Sequence, residues 1–153
     1  MTVHSEILTW VKDLDIQSIL NAPCGLCQDC RHFSEAGVKK VLGVNILPIP
    51  PGMNGHIQAD LCNWRPDESW DAVYINCFFC STNQSKTGTH EQAARNIASW
   101  PVRFIVVYDT VLLNDGFEWR TIFHDAGWRA ASFKTTEKGK FHTSRLEIWE
   151  HAA

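Results

Sequence analysis

The run Val102-Arg-Phe-Ile-Val-Val-Tyr-Asp109 is the strongest strand signal in the chain, and its centre is apolar on both faces. A half-buried strand alternates apolar and polar positions, so a run without alternation needs cover above and below. That suits the middle of a parallel sheet with helices on both sides. The chain is 153 residues long, which fits one domain spanning residues 1–153. A chain of this size buries about two thirds of its unfolded surface and needs no covalent staples.

The remaining elements alternate around that strand. His4 to Leu14 carries Ile7, Leu8, Trp10, Val11 and Leu14 at helical spacing. Ile16–Leu20 reads as a first strand, Cys30–Ala36 as a helix closed by Gly37, Val41–Ile46 as a second strand and His56–Ala59 as a short third. Asp71–Asn76 is a fourth strand, His90–Trp100 a helix that stops before Pro101, and Glu118–Ala126 a helix closed by Gly127. Two strands end the chain, Arg129–Thr135 and His142–Trp149, with a turn over Glu137–Lys140. In the last strand His142, Leu146 and Ile148 share one parity, and Arg145, Glu147 and Trp149 the other. Repeated βαβ units followed by a hairpin predict a three-layer α/β sandwich. Its seven-stranded sheet is mostly parallel, with an antiparallel C-terminal strand.

Charge and composition narrow the partners. The net charge is -3 and no polybasic run occurs, which disfavours a nucleic-acid partner held mainly through phosphates. No apolar run is long enough to span a bilayer, and Met-Thr-Val-His-Ser-Glu lacks a signal-peptide pattern, so a cytoplasmic protein is expected. The six cysteines are then expected as thiols.

The stretch Ile19-Leu-Asn-Ala-Pro-Cys-Gly-Leu-Cys-Gln-Asp-Cys30 follows the first strand and precedes a helix. In open α/β sheets a ligand lies beyond the carboxyl ends of the strands, over such a turn. Ala22 and Gly25 allow close backbone approach, and the helix start offers free amides. Asn45 ends the second strand, at the distance where a ribose hydroxyl is usually gripped.

Ile19-Leu-Asn-Ala-Pro-Cys-Gly25 resembles the first motif of the class I S-adenosylmethionine-dependent methyltransferases. Gly43-Val-Asn-Ile46 resembles the second motif, Ala59-Asp-Leu61 the third, and Trp70–Asn76 the fourth strand. The likeness extends through Asp125-Ala-Gly-Trp128 and the closing hairpin, and so covers nearly the whole chain. It implies S-adenosyl-L-methionine as cofactor and an unidentified, small-molecule methyl acceptor. By the same resemblance Asn21, Ala22, Cys24 and Gly25 line the methionine end. Asn45 and Ile46 meet ribose and adenine, Asp60 and Leu61 hold the adenine edge, and Asn76, Cys77 and Phe78 floor the site near the methyl group. Asn76-Cys-Phe-Phe79 stands where amine-modifying members carry Asn/Asp-Pro-Pro-Tyr/Phe, which makes Asn76 the candidate that positions an acceptor amine; the two prolines are absent. Methyl transfer asks mainly for alignment, because the sulfonium already carries the activated group.

The chain departs from the family pattern at three points. Asn21 replaces an acid, Asn45 replaces a ribose-binding acid, and Cys27 replaces the last loop glycine. These motivate an alternative, a methyltransferase-like scaffold or binding protein without catalysis. A third reading comes from Cys24, Cys27, Cys30, Cys62, Cys77 and Cys80, whose close spacing is compatible with a zinc or iron-sulfur site. Tyr108 and Asp109 are expected at the cleft, and His90, His124 and His142 are candidate bases among which the sequence does not choose. Of seven tryptophans, Trp10, Trp100, Trp119 and Trp128 are expected in the core, while Trp64, Trp70 and Trp149 are open to surface roles.

Overall fold

The computed structural model describes residues 9–24, 28–46, 48, 55–76, 78–79, 89–112, 118–138 and 142–152. In chain order these form α1 (9–13), β1 (Ser18–Asn21), α2 (Gln28–Glu35), β2 (Lys40–Asn45), β3 (His56–Gln58) and β4 (Trp70–Asn76). Then follow α3 (Thr89–Ile97), β5 (Val102–Leu112), α4 (Trp119–Asp125), β6 (Trp128–Lys138) and β7 (His142–His151). The seven strands make one sheet in the order β3-β2-β1-β4-β5-β7-β6. The first five run parallel, and β7 is antiparallel to both β5 and β6.

Strand parity sorts the core into two layers. On one face Leu20, Val44, Val73, Ile75, Ile105, Val107 and Trp149 pack against Ala93, Ala94 and Ile97 of α3 and Trp119, Ile122 and Phe123 of α4. On the other face Ile19, Ala72, Tyr74, Phe104, Val106, Leu146 and Ile148 pack against Trp10 and Val11 of α1 and Phe33 of α2. Double cover is the reason β5 needs no polar face, and the split of Leu146 and Ile148 from Trp149 follows the expected parity.

Local sequence fixes several element ends. Gly37 and Gly127 adopt positive φ, 94° and 93°, just past α2 and α4, where a residue with a Cβ would be strained. Val38 N–H returns to Phe33 C=O at 3.1 Å, closing α2. At the amino edge of the sheet Asp71 Oδ2 accepts from the backbone N–H groups of Gln17 and Ser18, and Ser18 Oγ accepts from Asp71 N–H. This reciprocal pair sets the β1–β4 register.

Several placements differ from the sequence expectation. Ile16 belongs to the exit of α1 rather than to β1, because its N–H bonds Val11 C=O at 3.0 Å and Asp15 turns at φ 51°. Strand β6 runs on through Glu137 and Lys138, which were expected in a turn. The ladder to β7 carries these polar residues, with register shifts at Ala130/Ser132 and Thr135/Glu137. Tyr108 is 6% exposed and packs in the α1–α2 layer rather than facing a cleft. The side chains of Asp109 and His142 lie outside the described residues.

Candidate functional site

The strand order reverses between β1 and β4. From β1 the chain winds outward to β2 and β3, and from β4 to β5 on the other side. A crevice therefore opens outside the carboxyl ends of β1 and β4, the usual ligand position in such sheets. The loop leaving β1 is tied down on both flanks. Ala22 N–H donates to Tyr74 C=O of β4 at 3.0 Å, and Cys24 N–H donates to Val44 C=O of β2 at 2.9 Å. The Ala22–Pro23 peptide is cis. Gly25 and Cys27 lie outside the described residues, as does Cys77.

Asn21 is 1% exposed at the end of β1. Its Nδ2 faces Cys30 Sγ in the first turn of α2 at 3.4 Å, and its Oδ1 is buried without a partner. Across the crevice, Asn76 at the end of β4 donates through Nδ2 to Asp29 Oδ2 at 2.9 Å. Asp29 is in the first turn of α2, where the helix dipole favours a negative charge. The sequence reading did not single out Asp29. An acid at the start of the helix that follows the loop, in a chain whose β1 acid is an asparagine, was the available signal.

The β2–β3 side of the crevice is lined differently. Asn45 Oδ1 accepts from Ile46 N–H at 3.0 Å, and Ala59 N–H donates to Asn45 C=O at 2.8 Å. Gln58 Nε2 donates to Ile46 C=O at 3.1 Å. Ile46 itself is 58% exposed, the one large hydrophobic so exposed among the described residues. Asp60 Oδ1 accepts from Cys62 N–H at 2.9 Å, and Leu61 is buried beneath it. Asn96 of α3 staples this turn by donating to the C=O groups of Leu61 and Trp64. The Cys62 thiol is pushed up from its ordinary pKa by burial first, then by the charge and hydrogen bond of Asp60, against a lowering backbone bond at Ala93.

Past β4, Phe78 is half-buried and stands 4.8 Å, ring to ring, from the fully buried His90. Phe79 is buried and stacks on Trp119 at 5.3 Å. His124 is exposed on α4, away from this cluster. Trp70 and Trp149 belong to the core, and only Trp64 among the seven tryptophans is half-exposed.

The structure thus brings Asn21, Ala22, Cys24, Asn45, Ile46, Asp60, Leu61, Asn76 and Phe78 to the carboxyl edge of the β1–β4 half of the sheet. No group of three metal-ligating side chains forms among the described residues. Cys80 also lies outside those residues. No described helix is long and apolar enough to cross a membrane.

This sheet order, with its switch-point crevice, is the fold of the class I methyltransferases. Solved structures of that fold match over nearly the whole chain. The 1,6-didemethyltoxoflavin-N1-methyltransferase of Burkholderia thailandensis, solved with 1,6-didemethyltoxoflavin and S-adenosylhomocysteine, matches with TM-score 0.71 at 13% identity, over 98% of this chain and 77% of that one. The N-methyltransferase NodS of Bradyrhizobium japonicum matches with TM-score 0.68 at 10% identity, over 97% and 96% of the two chains. The magnesium protoporphyrin IX methyltransferase of Synechocystis, solved with bound S-adenosylmethionine, matches with TM-score 0.66 at 14% identity, over 96% and 77%. No protein-family model and no curated protein sequence matches the chain.

Proposed function

We propose that this chain is a single-domain S-adenosylmethionine-dependent methyltransferase acting on a small-molecule acceptor. The observation that carries the reading is the composition of the crevice. A loop of small residues, pinned to β2 and β4, faces an exposed Ile46 and the Asp60 turn on one side and Asn76 on the other. Such a surface offers an apolar plate for a purine, polar groups for its edge and for ribose hydroxyls, and close backbone approach for a methionine chain. In this reading Asn21, Ala22, Cys24 and Gly25 serve the methionine end. Asn45, Ile46, Asp60 and Leu61 serve the adenosine end, and Asn76, Cys77 and Phe78 lie under the transferable methyl group. The cofactor supplies the activated methyl, and the protein supplies orientation and water exclusion. The solved neighbours that carry S-adenosylmethionine or its demethylated product support the choice of cofactor.

Asn21 and Asn45 favour a second reading, a scaffold with the fold but without turnover, since neutral amides replace charged partners at both positions. Calorimetric titration with S-adenosylmethionine and S-adenosylhomocysteine tests the cofactor claim. Saturable binding of both is expected. A well-folded sample that binds neither would leave only the fold. Binding without turnover on any acceptor in a broad amine, hydroxyl and thiol panel would favour the scaffold.

A further inference from the structure

We propose that Asn96, on α3, is a positioning residue for base selection: it acts through the turn over residues 60–64 and sets the aim of the Asp60 carboxylate. This rests on the cofactor reading above and adds to it a residue from the helix layer. A primary amide carries two N–H donors on one nitrogen. Asn96 Nδ2 directs both at this turn, 2.8 Å from Leu61 C=O and 2.6 Å from Trp64 C=O. Ala93, Ala94 and Ile97 of the same helix are fully buried against the sheet, so a fixed element carries the amide. Ser99 adds a second tie. Its Oγ donates to Asn96 C=O at 2.6 Å and accepts from Arg65 Nη1, just past the turn, at 2.8 Å.

The turn does not need Asn96 in order to form. Asp60 C=O accepts from the N–H groups of Asn63 and Trp64, and Asp60 Oδ1 accepts from Cys62 N–H at 2.9 Å. Those three bonds fix its shape, not where it stands relative to the crevice. Two contacts from outside fix that: Ala59 N–H donates to Asn45 C=O of β2 on the entry side, and Asn96 holds the far side. Without Asn96 the turn keeps its shape and loses one of its two tethers. A carboxylate accepts from an amino group on a purine and repels an oxo group there. An aimed Asp60 therefore tells the two bases apart, and a loosely held one does so less well.

The test compares 5′-methylthioadenosine with 5′-methylthioinosine, which carries an oxo group where adenine has its amino group. Wild-type protein should prefer the adenine ligand by about tenfold to a hundredfold. Asn96→Ala should cut that preference to about a third or less, by weakening the adenine ligand and leaving the inosine ligand nearly unchanged. In an Asp60→Ala background the same substitution should change the preference no further, as befits a residue that acts through Asp60. Asn96→Gln keeps both donors on a longer arm and should also lower the preference; it serves where Asn96→Ala fails to fold, as thermal unfolding of each variant shows. A wild-type preference in the folded Asn96 variants overturns the proposal. So does an equal loss for both ligands, or a further loss in the Asp60→Ala background. Wild-type protein that binds S-adenosylhomocysteine but does not distinguish the two bases also overturns it, and leaves the cofactor reading standing. Wild-type protein that binds none of the three ligands removes that reading, and the role of Asn96 with it.

Discussion

The layer beneath α4 and the crevice between β1 and β4 lie against the same sheet but satisfy their side chains in opposite ways. Beneath α4, Trp119 stacks on Phe79, meets Phe123 and Trp149 edge-on, and carries the Arg120 guanidinium over its ring at 4.3 Å. Even the charge buried there is matched. Glu147 is 3% exposed, and both its carboxylate oxygens accept from Arg120 Nε, with Oε2 also accepting from Nη2 at 2.5 Å. In the crevice, Asn21 Oδ1 is enclosed and unpaired, Ile46 is bare, and Asn76 donates to Asp29. The Trp149 indole N–H beneath α4 is itself buried without a partner, so the contrast lies in the other polar groups: the buried carboxylate there is paired, whereas the crevice leaves the Asn21 carbonyl oxygen enclosed and unpaired.

The largest effect expected of breaking this contrast is on the aromatic side. Trp119→Ala removes a side chain from a packed cluster and should cost about 3–5 kcal/mol, read from the midpoint of urea unfolding. A loss below about 1 kcal/mol would mean that the layer collapses into the gap and is not close-packed.

Next comes the ion pair. Burial opposes the charge on Arg120, but the hydrogen bond and charge of Glu147, with Glu118 adding to them, outweigh it and raise its pKa further. The Arg120 side chain keeps 28% exposure, so water relieves part of the strain when it is removed. Arg120→Leu should cost about 2–3 kcal/mol, because it leaves the Glu147 carboxylate buried alone. The double variant Arg120→Leu/Glu147→Leu should recover most of that loss in the same unfolding experiment. A double variant as unstable as the single one would show that packing, not the stranded charge, sets the cost.

These two regions were not equally legible in the sequence. The mostly parallel seven-stranded α/β sheet with its antiparallel C-terminal strand followed from apolar runs and their alternation with helices, since burial on one or two faces leaves a periodic trace. Gly37 and Gly127 marked helix ends because only a residue without Cβ turns there at no cost. The partner of Glu147 left no such trace. It lies 27 positions away on another element, and a lone acid between Leu146 and Ile148 does not say which base will cover it. The crevice was half legible. Its motif residues could be placed by resemblance, whereas the bond between Asp29 and Asn76 depends on how α2 leans on the sheet. Trp70 and Trp149, which the sequence left open between core and surface, are buried: polar neighbours along the chain do not reveal a side chain that the sheet covers.

A smaller effect is expected from Asn21, and the comparison with its neighbour sharpens it. Leu20 and Asn21 are equally buried, at 0% and 1% exposure. Leu20→Ala should cost about 2–5 kcal/mol, the usual range for a core leucine. Asn21→Ala should cost less than about 1 kcal/mol, since it deletes an unsatisfied oxygen and a weak contact to sulfur. Equal losses in the two variants would show that Asn21 is held by its surroundings as firmly as the core, and the contrast between the regions would fail at its most buried point.

The smallest effect concerns Cys62, beside the Asp60 turn. Burial and then Asp60 raise its thiol pKa, so the folded chain favours the protonated form. The sign follows: this preference contributes fully below the ordinary thiol pKa and is lost as pH rises through the raised value. Stability should therefore decline slightly from about pH 8.5 upward, in the range where an unperturbed thiol ionises. Because the thiolate is the nucleophile, iodoacetamide should modify Cys62 more slowly than an unfolded-chain thiol at pH 8, as followed by mass spectrometry of the Cys62 peptide. Asp60→Asn removes the second cause but leaves burial, so it should speed the reaction part of the way toward the unfolded rate. A rate in Asp60→Asn no faster than wild type would assign the shift to burial alone. It would also show that the Asp60 carboxylate is turned away from the thiol in solution, free to meet a ligand edge instead.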